Sequence, residues 1–341
     1  MKISSIKAIT VNQVELTKED DKSLDSISPT EVLIENRYSH VSAGTELACI
    51  AGLEDWFEFS STLGYTSIGK VLEVGDQVKN VQPGDYVYTF GGHTSHFKID
   101  TTDRWHGICV KVPQGCDLTL ASFTHMAGIA ITALRRSSIE LGDWVAISGM
   151  GAIGNLCAQL CQLQGANVIG LDIMESRLEI AEKCGIKHTS NVKTERIEDK
   201  IIELTNNTKV STYIDASGVP AVIESASQHM SQYGELILLG SPRDHYNTNL
   251  TAFLQPIHLW SHGSIEVKGA LEFIYPTHEV EHLKHSIERN SKIILRLIDK
   301  GDLNVKPLVG HIEKPTNASK VYGDIRKYPD KYMGVVFDWN V

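Results

Sequence analysis

A chain of 341 residues with a formal net charge of −10 is long enough for two domains of ordinary size, and its acidic balance excludes nucleic acid or an anionic membrane as a general partner. No apolar run approaches the ~20 residues that a membrane helix needs. The opening Met1-Lys2-Ile3-Ser4-Ser5-Ile6 lacks the apolar core of a signal peptide, so a cytoplasmic protein is expected. The six cysteines are scattered at 49, 109, 116, 157, 161 and 184, which predicts small core residues rather than a disulfide framework.

Up to residue 120 or so the chain reads as β-rich. Alternating runs such as Glu31-Val32-Leu33-Ile34-Glu35 and Gly69-Lys70-Val71-Leu72-Glu73-Val74 are punctuated by turn signals, the clearest being Pro83-Gly84 before Tyr86-Val87. From residue 119 to 270 strand and helix patterns alternate, as a parallel sheet with crossover helices requires. Strands are predicted at Trp144–Ser148, Asn167–Leu171, Thr212–Asp215, Glu235–Leu239 and Ser264–Val267. The remainder holds a helical stretch, Thr277–Lys300, and a strand at Gly334–Trp339. A β-rich region before a doubly wound one, with sequence left over after it, predicts a discontinuous first domain. Its two parts are expected to enclose a cleft beside the second. The boundaries are set at 1–125, 126–270 and 271–341.

The chemistry concentrates at Gly149-Met150-Gly151-Ala152-Ile153-Gly154, which follows one predicted strand and opens an apolar helix. The next strand ends at Asp172. Strand, glycine turn, helix, strand and acid in that order describe a dinucleotide site. Gly149 permits the tight turn, Gly151 admits the pyrophosphate, and Gly154 allows close helix–strand packing. The unpaired N–H groups of the first helical turn, at Ala152 and Ile153, meet the phosphate charge. A carboxylate at Asp172 accepts the adenosine ribose hydroxyls and repels a 2′-phosphate, so NAD is expected over NADP. Arg177 is the nearby cation, flanked by Glu175 and Glu179.

An ordered series of short motifs runs through the chain: Gly44-Thr45-Glu46, Leu63–Gly69, Gly84-Asp85-Tyr86-Val87, Ala130–Arg136, Gly142–Val145, Asp215-Ala216-Ser217-Gly218 and Leu239-Gly240-Ser241. On these the chain resembles the medium-chain dehydrogenase/reductase superfamily. The resemblance implies an α/β fold: a Rossmann-type doubly wound parallel sheet plus a discontinuous GroES-like β-rich catalytic domain. It also implies cofactor contacts at Ser217, Gly240 and Ser241, and assembly as a homodimer or homotetramer.

The alcohol dehydrogenase branch of that superfamily carries a catalytic zinc, and here its pattern is broken. The place of the ligand Cys holds Ala43, preceded by Ser42; the Gly-His-Glu motif reads Gly64-Tyr65-Thr66; the third ligand region reads His125-Met126. Zinc needs three Cys, His or carboxylate ligands, and the cysteine lobe of structural zinc is also missing between Thr89 and Asp103. A zinc-free member is expected, similar to bacteriochlorophyllide dehydrogenase-like proteins. Without a Lewis acid, side chains must manage the alcohol proton and the developing oxyanion. The resemblance points to Thr45 as relay with Glu46 behind it, Tyr65 and His125 at former ligand places, and His93 on a cleft-lining strand. The expected activity is zinc-independent hydride transfer between NAD and a polar, secondary alcohol or its ketone. Two alternatives are an NAD(P)H-dependent enoyl or quinone reductase and a non-catalytic NAD-binding sensor or structural protein.

Overall fold

In the computed structural model the described residues are all but 1–4, 11–15, 21–23, 25, 58–60, 244 and 341. Met1 to Ser4, part of the stretch read as lacking an export signal, lie outside them. The chain forms two compact units, residues 1–125 with 275–341, and residues 126–274.

The first unit opens with an antiparallel pair, β1 (Ser5–Ile9) and β2 (Leu16–Asp20). β3 (Glu31–Val41), β4 (Ser67–Val74), β5 (Tyr86–Thr89), β6 (His96–Asp100) and β7 (Cys109–Lys111) follow. Between β3 and β4 lies a helix that the sequence did not predict, α1 (Ala43–Ile50). Its N-cap residue is Ser42, whose backbone N–H donates to Glu46 Oε1 at 2.6 Å. An acid in the first turn also complements the helix dipole. The Gly-Thr-Glu motif therefore lies in a helix rather than an open turn.

The second unit carries β8 (Trp144–Ser148), β9 (Asn167–Asp172), β10 (His188–Asn191), β11 (Val210–Asp215), β12 (Met230–Leu238) and β13 (Glu266–Gly269). They form one parallel sheet in the order β10-β9-β8-β11-β12-β13. The winding direction reverses between β8 and β11, so a crevice for ligand is expected at their carboxyl ends. α2 (Leu118–Ala121) and α3 (Thr124–Arg136) precede this sheet, and α4 (Ala152–Leu163) follows β8. Ala146, Ile169, Tyr213 and Leu236 fill the core on one face of the sheet. β13 begins two residues later than expected, because Gly263 at φ +132° and Ser264 at φ +49° keep the chain out of extended conformation.

The chain then returns to the first unit with β14 (His311–Glu313) and β15 (Val335–Asp338), completing the sheet order β14-β15-β3-β4-β5-β7, with β6 on β3. The helix expected over Thr277–Lys300 is confined to Ile287–Lys300, where Ser286 caps it by accepting the N–H of Arg289 at 3.0 Å. His282 upstream, at φ +71°, is incompatible with a continuous helix. The six cysteines are buried and none is in a disulfide. Among the described residues no helix is long and apolar enough to cross a membrane.

Candidate functional site

Gly149 takes φ +88°, and its N–H donates to Leu171 O at 2.8 Å, tying the end of β8 to β9. A Cβ on Gly154 would lie 1.8 Å from Gly149 O, so only glycine lets α4 start this close to the turn. Gly151 is the opposite case: a Cβ there would meet no atom within 4 Å. It stands at the N-cap of α4 with no side-chain cap bond, which leaves the helix terminus beside Ala152 and Ile153 open to an anion. These features fit a dinucleotide pyrophosphate.

Asp172, at the end of β9, is 5% exposed. Its Oδ2 accepts the N–H of Met150 at 2.7 Å and its Oδ1 that of Met174 at 2.9 Å. Arg177 sends Nη1 to within 3.6 Å of Oδ2, while its Nε is buried without a hydrogen-bond partner. A second acid, Asp215, organises the loop after β11. It is fully enclosed and accepts Ser148 Oγ at 2.7 Å, Ser217 Oγ at 2.6 Å and the N–H of Gly218 at 2.9 Å. The loop after β12 packs directly against it: a Cβ on Gly240 would lie 2.3 Å from Gly218 N, and one on Gly218 2.6 Å from Ser241 O. Ser217, Gly240 and Ser241 thus share one loop pair. Asp215 stood in the sequence only as a landmark; a buried acid two residues before Ser-Gly was the available signal.

In the first unit Glu46 is 1% exposed and His93 fully enclosed. Glu46 Oε2 takes His93 Nε2 at 3.0 Å and the hydroxyl of Tyr322, while Oε1 takes Ser42 N–H. Burial alone would raise the carboxyl's pKa; the His93 charge and hydrogen bond, helped by Tyr322 and Ser42, outweigh it and hold it below the ordinary value. His93 Nδ1 lies 2.7 Å from Ser39 Oγ, which accepts Trp339 Nε1–H at 2.8 Å. Trp339 can only donate. The Glu46 carboxylate can only accept, so the His93 nitrogen that faces it, Nε2, carries a hydrogen. His93 was expected on a cleft-lining strand; it lies before β6, with both ring nitrogens engaged by Ser39 and Glu46. Gly64, at φ +83°, makes room for it, since a Cβ there would sit 2.7 Å from the imidazole.

Tyr65 donates its hydroxyl to Ser42 Oγ, and its backbone carbonyl lies 3.0 Å from His125 Nδ1. The His125 ring stacks on Phe90 at 4.5 Å and meets the Tyr65 ring edge-on at 5.0 Å. Ser42, Tyr65 and His125 are therefore brought together, with Thr45 half-buried in the first turn of α1 beside Glu46. His96 instead faces Glu35 and Arg37 on β3. One further histidine went unread in the sequence. His40, on β3, is 1% exposed with Nδ1 unpartnered, and burial pushes its pKa down to about 3.

Of the three places read as former zinc-ligand positions, Ala43 offers no donor, Tyr65 a phenol bonded to Ser42 and His125 one imidazole. Among the described residues no group of three His, Cys, Asp or Glu side chains could hold a metal ion. This donor set does not fit zinc.

Residues 152–274 match the zinc-binding dehydrogenase family. L-threonine 3-dehydrogenase of Shewanella loihica is 31% identical over 223 residues, 55% of this chain and 64% of that protein, so the match spans just under two thirds of the relative. An Escherichia coli CFT073 alcohol dehydrogenase complexed with NADH superposes with a TM-score of 0.81 at 16% identity, covering 98% of this chain and 100% of that one. A Sinorhizobium meliloti protein bound to NADP gives 0.79 at 17%, covering 98% and 100%. The two structural likenesses speak for the fold alone. They share this chain's two-unit architecture. The chain is thus similar to zinc-binding dehydrogenases over residues 152–274 and to L-threonine 3-dehydrogenase over about half of its length.

Proposed function

We propose that this chain is an NAD-dependent, zinc-independent oxidoreductase that interconverts an alcohol, a secondary one on a polar substrate, with its ketone. The observation that carries the reading is the open Gly151 turn backed by a carboxylate at the end of the next strand. The turn's amides suit a pyrophosphate, and the Asp172 charge disfavours a 2′-phosphate. Bound NAD would supply the hydride acceptor. The threonine dehydrogenase relative supports a polar hydroxyl substrate.

The alcohol must still lose a proton, and the oxyanion that develops must meet donors. Thr45 supplies a hydroxyl donor, and the Tyr65 phenol, whose hydrogen goes to Ser42 Oγ, supplies an acceptor for a relayed proton. His125, against the Tyr65 ring, is the base at which the proton rests. Glu46 and His93 hold the first turn of α1 from beneath rather than touching substrate. The protein is read as a cytoplasmic homodimer or homotetramer.

A panel of alcohols and ketones, assayed with NAD(H) and NADP(H) before and after chelation, tests the reading. NAD-linked turnover that survives chelation is expected. A clear NADPH preference would instead favour an enoyl or quinone reductase. Tight NADH binding with no turnover would favour a sensor, and about one firmly bound zinc per chain would overturn the metal-free mechanism.

A further inference from the structure

The acid that ends β9 has a second task, and the inference rests on the nucleotide reading above. Asp172 belongs to one strand, yet its Oδ2 reaches the backbone N–H of Met150, in the middle of the glycine turn that ends another. Its Oδ1 takes the N–H of Met174, at the N-cap of the helix Glu175–Lys183. Met150 cannot swing away to find another partner for that amide: its side chain is fully enclosed, lying under Gly170, where a Cβ would come within 2.8 Å of its sulfur. The turn's other tie to β9 is the bond from Gly149 N–H to Leu171 O.

We infer that Asp172 is a positioning residue for the pyrophosphate turn as well as an acceptor for the ribose. By gripping Met150 N–H it sets the aim of Gly151 and of the first amides of α4. Each carboxylate oxygen has two lone pairs, so the grip leaves capacity for ribose hydroxyls, and Arg177 at 3.6 Å balances part of the charge. Replacing the acid removes the grip and the ribose contacts together. A nucleotide without ribose hydroxyls separates the two.

ADP and 2′,3′-dideoxyADP are titrated against wild type, Asp172→Ser and Asp172→Asn, and exchange of the Met150 amide is followed without ligand. In Asp172→Ser the dideoxy nucleotide is expected to bind about tenfold more weakly than to wild type, the loss of one hydrogen bond to a charged acceptor expressed through geometry. ADP is expected to lose more, and Met150 exchange to accelerate. Asp172→Asn, whose amide oxygen can still accept one of the two N–H groups, is expected to restore part of the dideoxy affinity; it also carries the test if Asp172→Ser does not fold. Unchanged dideoxyADP affinity with unchanged Met150 protection would overturn the inference. Failure of wild type to bind ADP would remove the nucleotide reading instead, and the exchange measurement would still decide the grip.

Discussion

In the unit spanning 126–274, the buried acids Asp172 and Asp215 accept mainly backbone N–H groups and the hydroxyls of neighbouring serines. In the other unit, Glu46 takes one backbone N–H and two side chains that arrive from distant parts of the chain, His93 and Tyr322. The first arrangement shapes loops chiefly through backbone groups, with two serine hydroxyls on Asp215. The second depends on the identity of each partner. Damage to Glu46 should therefore propagate further than damage at the turn, and the contrast can be broken or sharpened by experiment.

The largest loss is expected from Glu46→Ala, which strands His93 and Tyr322 in the interior. Removing one partner of a buried charged pair costs about 3–5 kcal/mol, measurable by urea unfolding at neutral pH. Acid should erode the same unit in wild type. The Glu46 pKa is lowered on folding, so its contribution is present above the ordinary carboxylate range and is lost as pH falls through the folded value. His40 acts in the same direction: depressed from 6.5 to about 3, it contributes stability above 6.5 that declines toward pH 3. The Glu46 charge favours its protonation while His93 and His125 oppose it, and burial dominates. His40→Gln should flatten the decline between pH ~6.5 and ~4.5, the part that carboxylates do not share; an unchanged slope would remove His40 from the acid response.

In the other unit, Gly154→Ala forces a methyl against a backbone oxygen at 1.8 Å. A loss of about 3 kcal/mol is expected in thermal unfolding. Gly151→Ala, facing open space, should stay within about 0.5 kcal/mol of wild type while weakening NADH binding in a fluorescence titration. Equal destabilisation by both would contradict the assigned division of the turn.

Thr45→Val keeps shape and deletes a hydroxyl. It should lower turnover about a hundredfold, or about 2.7 kcal/mol of barrier, with NADH affinity unchanged; a normal rate would end the relay role. Trp339→Phe should be milder than the changes at Glu46 and Gly154. It withdraws a donor from Ser39, at a cost of about 1–2 kcal/mol including lost packing; because the Glu46 carboxylate still accepts from His93 Nε2, the imidazole 15N shifts should keep a hydrogen on that nitrogen.

The same contrast explains what the sequence could show. A parallel sheet with a glycine turn is written in contiguous residues, each with a local conformational reason, so Gly149, Gly154 and Asp172 could be read in order. The Glu46 network joins Ser39, Ser42, His93, Tyr322 and Trp339, which no spacing rule connects. Thr45 and Glu46 were legible as residues, but the helix that carries them was not, because Gly-Thr-Glu has weak helical propensity and relies on the Ser42 amide and Glu46 carboxylate to close its first turn. The extent of the helix before Lys300 was overread for the converse reason: its polar–apolar pattern continues through residues whose backbone leaves the helical region at His282.

The enclosed cysteines give the chain a clock for its own opening. Thiols react as thiolates. Burial pushes Cys109 up to about 12 and Cys184 to about 11; Cys116 also stands at about 11, and Cys157, beside Cys161, rises well above its ordinary value. Alkylating reagents at neutral pH should therefore find little to attack until a segment opens and the thiols return toward about 8.5. Labelling at Cys157 and Cys161 would time the release of α4 from its sheet, and labelling at Cys109 that of the β5–β7 edge. Mass spectrometry of one sample would then read two separate rates.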